Sequence, residues 1–127
     1  MKYVIKLCVL FVLLQSFQCE NSNDNTTITP EQLEQKKLEI LNYIAAFSCE
    51  NANGCSFIAF GSKPCGGPRE YLVYPNSINQ NVLEDMVTDY NQMDNLYNIQ
   101  TNAVSDCMAV MPPNTIDCIN GVCTIID

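Results

Sequence analysis

Histidine is absent from this chain. With it go the Ser-His and Cys-His nucleophilic pairs and the commonest catalytic zinc sites. Positive charge is scarce: six Lys and Arg stand against fourteen Asp and Glu, for a formal net charge of −8. Lys2 and Lys6 lie at the very start, so Lys36, Lys37, Lys63 and Arg69 supply all the positive charge of the remainder. Phosphate-backbone binding needs clustered Lys and Arg, which excludes nucleic acid as a partner and also adhesion to anionic lipid by charge alone. No C-x-x-C pair occurs among the eight cysteines, so neither a thioredoxin-like redox site nor a zinc ribbon is supported. Nothing in the composition asks for a metal or a cofactor.

A long apolar run is missing too. Residues 7–14 are the most apolar stretch, and as a helix they would cover roughly 12 Å of a hydrocarbon core about 30 Å thick. With Lys2 and Lys6 before them and a more polar segment after, they complete the pattern of a secretory leader over residues 1–18. Cleavage there removes Cys8 and leaves Cys19 at the new N-terminus. Cys49, Cys55, Cys65, Cys107, Cys118 and Cys123 then form an even set suited to three disulfides in an oxidising compartment. Residues 14–18 offer no small-residue cleavage site. Ser16-Phe17-Gln18-Cys19 instead resembles a relaxed lipobox, with Gln18 in place of the usual Gly, Ala or Ser. Lipidation of Cys19 would explain both the site and the odd thiol. A polar segment rich in Asn, Ser and Thr follows to residue 28, as a tether would. The alternative is a plain secreted protein cut near Cys19. Asn25-Thr26-Thr27 matches a glycosylation sequon, relevant only to a eukaryotic secretory route.

The remaining length suits one domain, residues 29–127. Thr29-Pro30-Glu31-Gln32 is a complete helix start, with Thr as N-cap, Pro at the first helical position and Gln closing a capping box. The helix is expected to run to about Phe47, burying Leu33, the Lys37 stem, Ile40, Leu41, Ile44 and Ala45. Residues 49–55 read as a turn through Asn53-Gly54, without the alternating acids of a calcium loop. Residues 56–60 and 71–74 read as strands. A second helix is expected from Ser77 or Asn81, each followed three residues on by an acceptor side chain. Its stripe is Val82, Met86, Tyr90, Met93 and Tyr97, widened by Leu83, Val87 and Leu96, regular enough to be ordinary core. Residues 107–111 read as a strand ended by Pro112-Pro113, and residues 115–126 as a hairpin folded at Asn120-Gly121. The expected class is α+β in the order αββαββ, two helices packed on a small antiparallel sheet.

Among the connectivities six cysteines allow, the two close pairs suggest Cys49–Cys55 across the turn and Cys118–Cys123 across the hairpin. Cys118 and Cys123 would face each other as a non-hydrogen-bonded pair, where side chains approach most closely. Cys65–Cys107 remains as the long bridge.

The most unusual segment is GSKPCGGPRE, residues 61–70, with three glycines, two prolines, a cysteine, Lys63 and Arg69 between two strands. Gly66 and Gly67 could expose backbone N–H groups, so with Lys63 and Arg69 they form a candidate grip for an anionic ligand or partner protein. The competing reading is a tight disulfide-anchored turn whose cations offset an acidic surface. GSKPCGGPREYLVY, followed by a Tyr- and Asn-bearing helix, SDCM, the double proline and CINGVC, resembles a family of small exported bacterial proteins, many of them lipoproteins, with no established activity. That resemblance implies that the loop and SDCM share one framework.

The expected function is a non-catalytic, disulfide-braced lipoprotein, held at the membrane through a lipid on Cys19, acting as a binding or envelope accessory module. A protease inhibitor presenting residues 61–70, with Arg69 aimed at a trypsin-like specificity pocket, is the alternative. An enzyme ranks third: Glu70, Asp106 and Asp117 could supply paired carboxylates, but with acids this abundant their spacing carries no signal, and solvated surface charge is the competing reading.

Overall fold

The computed structural model describes residues 27–126. The expected leader, Cys19 and nearly all of the expected tether lie outside the described residues. Helix α1 spans Pro30–Ala45 and starts as its sequence dictates. Thr29 Oγ1 accepts from the Gln32 N–H at 3.3 Å while Gln32 Oε1 accepts from the Thr29 N–H at 2.9 Å, satisfying two donors that a helix N-terminus otherwise leaves orphaned. The helix stops two residues earlier than expected. Ala46 and Phe47 donate to Tyr43 and Ile44 in tighter three-residue turns, and Cys49 is drawn out of the helical path to donate its N–H to Gly121 O at 3.0 Å.

A short 3-10 turn, Ala52–Gly54, leads into β1, Cys55–Phe60, which pairs antiparallel with β2, Glu70–Pro75. Alternation sends Ile58, Phe60, Leu72 and Tyr74 inward and leaves Phe57, Ala59, Tyr71 and Val73 on the other face. Helix α2, Gln80–Thr101, begins between the two caps its sequence suggests. Asn79 is the N-cap, accepting from the Val82 N–H, whereas Ser77 donates to Ser48 O. The chain ends in β3, Ile116–Ile119, and β4, Val122–Ile125, a second two-stranded ribbon. Asn120 and Gly121 both have positive φ, 52° and 83°, as the type I′ turn of such a hairpin requires.

The class and the order αββαββ are those read from the sequence, with the four strands divided into two ribbons. Both helices cover the inner face of β1 and β2, around Phe60, Ile40 and Leu83, the largest fully buried side chains. Burying a side chain such as Ile40 contributes about 2 kcal/mol. Ile28, assigned to the tether by its polar surroundings, is buried in this core and donates its N–H to Gln100 Oε1, so the folded unit already includes it.

Two expectations for local structure need correction. The α2 stripe holds at Leu83, Val87 and Tyr90, which are buried, and at Met86, Met93 and Tyr97, which pack partly buried against the core. Val82 and Leu96 are exposed instead, and the polar Asp94 and Asn98 are buried on the core side. Residues 107–111 form no strand. Cys107 has a left-handed φ of 54°, incompatible with extended pairing, and the segment is held by side chains instead.

The disulfide pairing is crossed. Cys65 joins Cys107 as expected, but Cys49 joins Cys118 and Cys55 joins Cys123, in place of Cys49–Cys55 and Cys118–Cys123. The register does set Cys118 opposite Cys123. The β3–β4 ribbon, however, packs its cysteines against the turn that carries Cys49 and Cys55, so each sulfur meets one from the other element. The consequence is energetic. Bridges separated by 69 and 68 residues contribute about 4 kcal/mol each in the loop-entropy model, against about 2 for the local pairs. Non-reducing peptide mapping should therefore link the peptide bearing Cys49 to that bearing Cys118, and Cys55 to Cys123. Replacing Cys49 and Cys118 together by Ser should lower the unfolding free energy by about 2–5 kcal/mol. A Cys118–Cys123 peptide in native protein would refute the crossed arrangement.

Candidate functional site

Residues 61–70 connect β1 to β2, and α2 supplies what holds them. Gly61 N–H donates to Asn91 Oδ1 at 2.7 Å and Ser62 N–H to Asp94 Oδ2 at 2.7 Å. Asn98 Nδ2 donates to Ser62 O at 2.7 Å. Arg69 then folds back onto the same helix, giving Nε to Asp94 Oδ2 at 2.7 Å and one terminal nitrogen to Asp94 Oδ1 and Asn98 Oδ1. Asp94 is 3% exposed. A carboxylate so buried needs its lone pairs filled, and a bidentate guanidinium plus a backbone N–H does so. Gly61 is required where it stands: its φ is +77° and an added Cβ would lie 2.9 Å from Arg69 Cγ, so no other residue fits beneath the arginine.

The distal part of the loop is tied to the segment after α2. Cys65 is bonded to Cys107, and Lys63 Nζ donates to Asp106 Oδ1 at 2.9 Å and to Met108 O at 2.7 Å. Within the loop, Gly66 N–H donates to Lys63 O and Lys63 N–H to Gly67 O. The hydrogen bond from Lys63, with the Met108 N–H and the lysine charge, holds the Asp106 carboxyl below the usual aspartate range.

The candidate residues are thus brought together, but their polar atoms face inward. Lys63, Arg69 and the Gly66 N–H are each engaged within the chain, and Gly66 and Gly67 lie exposed with open space around them. Arg69 gives Nε and one terminal nitrogen to Asp94 and Asn98, while 43% of its side chain stays exposed. The same holds across the domain: Lys36 pairs with Glu39 and Lys37 with Glu70, so every cation of the described residues has an acidic partner. Lys37 also sits 5.6 Å from the centroid of Phe60, whose ring stacks on Tyr90. The hydrogen bond to Glu70 raises the Lys37 pKa. Glu70 is thereby engaged with Lys37 and Asp106 with Lys63, while Asp117 accepts from the Cys118 N–H.

What the loop leaves open is apolar. Tyr71, Val110, Met111, Pro113 and Ile125, with the flanks of Arg69 and Glu70, line a cleft of about 280 Å³ on the outer side of β2. Phe57 extends it through an edge-to-face contact with Tyr71, centroids 5.6 Å apart. Met111 is 75% exposed and Met108 69%. A second cleft of about 170 Å³ lies between α1 and β4, lined by Leu41, Ile44, Ala45, Phe47, Val73, Pro75, Val122 and Cys123. Sequence reasoning passed over the first cleft. Its signal was the concentration of Val, Met and Pro in residues 104–113, of which residues 107–111 were read as a strand.

Compared with family models, curated proteins and solved structures, the chain matches no family model, no curated protein and no solved structure. Among the described residues no helix is long and apolar enough to cross a membrane. The three disulfides are the chemistry of an oxidising, extracytoplasmic compartment.

Two measurements test this geometry. Arg69→Ala, which a surface residue would tolerate, should cost about 3 kcal/mol because it leaves Asp94 buried without its cation. A double-mutant cycle with Asp94→Ala should return a coupling above about 1 kcal/mol; additive losses would show that the pair is not coupled. The lowered Asp106 pKa means that its contact with Lys63 stabilises the fold above the ordinary aspartate pKa and is lost as pH falls through the lower, folded value. An NMR titration should place the Asp106 midpoint below that of an ordinary aspartate, and Lys63→Met should restore it. An unchanged midpoint in Lys63→Met would remove the lysine as the cause.

Proposed function

We propose that this chain is a non-catalytic, extracytoplasmic binding module, carried at a membrane or cell surface by a lipid on Cys19, that holds an apolar part of a partner protein. The observation that carries the reading is the cleft of Tyr71, Val110, Met111, Pro113 and Ile125 beside a loop whose two cations are already paired with Asp106 and Asp94. Exposed apolar side chains on a braced framework cost little further ordering when a partner covers them. Met111 and Met108 add an adaptable surface. Association with an anion at Lys63 and Arg69 would have to compete with Asp106 and Asp94, so the partner is recognised through the cleft at the flank of residues 61–70. The thiol count supports the lipid, since Cys19 is the one cysteine of the mature chain outside the three bridges. The resemblance to small exported lipoproteins points the same way.

The experiment uses the mature protein in its native membrane. Intact mass should show an acylated chain beginning at Cys19; an unmodified N-terminus near it would overturn the anchor. Photocrosslinking from position 111 should yield one dominant adduct, lost in Tyr71→Asp with unchanged near-UV circular dichroism. No adduct above background, or one indifferent to Tyr71→Asp, would overturn the cleft as the binding surface.

A further inference from the structure

The backbone of β2 is paired on one side only. Asn76 N–H donates to Gly54 O at 2.7 Å just beyond the ladder, which sets the ladder's phase. Ser56–Tyr74, Ile58–Leu72 and Phe60–Glu70 are the pairs that exchange backbone hydrogen bonds, and Phe57–Val73 and Ala59–Tyr71 alternate with them. The N–H and C=O groups of Tyr71 and Val73 therefore point away from β1, and among the described strands β2 has no second hydrogen-bonded neighbour. The two clefts lie along this edge. Helix α1 covers the inner face of the sheet, while the Cys55–Cys123 bond draws β4 to the outer face, the one Cys55 shares with Phe57 and Ala59. Val73 and Pro75 line the cleft between these two layers, and Tyr71 lines the other, beside Ile125 and Met111. We propose that this edge docks an extended segment of a partner protein, which adds to β2 as a further strand and places alternate side chains in the two clefts.

The proposal rests on the cleft at Tyr71 as a binding surface and names what fills it. The groups left over are N–H donors and C=O acceptors repeating over about 7 Å of strand. Another extended backbone satisfies that pattern, whereas a helix has already used its own groups internally. Sheet edges are ordinarily blunted by charge, proline or a bulge. Pro75, which has no N–H, and Glu70, held by Lys37, close the two ends of this one, but Tyr71, Leu72 and Val73 between them carry no charge. The edge is recessed between α1 and β4, with Phe47 on one side and Val122 on the other, so it admits a single strand and not the broad edge of another domain. A second copy of the chain is disfavoured on charge as well. It carries a formal −8, and the cations of the described residues are already paired with acids, so two copies repel. The occupant is an extended segment with apolar side chains two residues apart, one for each cleft, and no acidic residue between them.

Amide hydrogen exchange on the mature chain tests the open edge without a partner. Tyr71 and Val73 should exchange at least about tenfold faster than Leu72, whose N–H lies in the ladder; equal protection would mean a closed edge and would overturn the proposal. Photocrosslinking in the native membrane then uses position 111 in one cleft and position 122 in the other. Both adducts should fall on the same partner within about six residues of each other, the reach of one extended segment along β2. Val73→Pro removes an outward N–H and no bond to β1, and should lower both adducts about tenfold with Leu72 protection and near-UV circular dichroism unchanged. If that variant unfolds, the mapping from positions 111 and 122 decides alone. Adducts on separate segments, or adducts indifferent to Val73→Pro in a folded chain, would overturn strand addition while the cleft at Tyr71 stands as a binding surface. Loss of the adduct from position 111 in Tyr71→Asp identifies that case, and no adduct from position 111 at all would remove both readings.

Discussion

The buried carboxylate of Asp94 is the constraint on which the candidate site depends. It sits where the helical period calls for an apolar side chain, and it remains there because Arg69 and the Ser62 N–H fill it. Around that charge the loop acquires its path: Gly61 must be glycine, Ser62 must lie against α2, and Arg69 must fold back at the start of β2. Removing apolar contacts elsewhere would loosen the core by increments. Removing Arg69 would instead leave a buried charge, because among the described residues Asp94 has no other cation within ion-pair distance.

The local parts of this architecture were legible in the sequence. Thr29 with Gln32, and Asn120 with Gly121, specify a helix start and a hairpin through contacts a few residues apart, and both occur as read. The α+β order follows from the same short-range signals. The failures are nonlocal. Asp94 and Asn98 drew no notice in the sequence because nothing nearby marks Arg69, twenty-five residues from Asp94, as their partner. The cysteine pairs read as local bridges because short spacing was compared without knowing that the two turns would lie against each other. Residues 107–111 read as a strand, yet left-handed Cys107 and the clamp of Lys63 keep the segment irregular, with Met108 and Met111 exposed.

Charge has a different meaning in this fold from the one its composition suggests. An acidic protein with four cations in its domain seems to hold those cations ready for an anion. In the structure each one is an internal connector: α1 to β2 through Lys37, the loop to residue 106 through Lys63, the loop to α2 through Arg69, and one turn of α1 to the next through Lys36. The exposed pairs add little stability individually, but three of the four ion pairs join elements distant in sequence.

The crossed bridges also set a timetable for the newly made chain. At about 5–20 residues per second of synthesis, Cys49 and Cys55 emerge roughly 3–14 s before Cys118 and Cys123, since 69 and 68 residues separate the partners. During that interval the nearest sulfur to each is the other. A premature local bond between them must be exchanged before the hairpin can dock. A chain entering an oxidising compartment from its N-terminus therefore depends on thiol–disulfide exchange to finish folding, and its yield should follow the supply of an isomerase rather than of an oxidant.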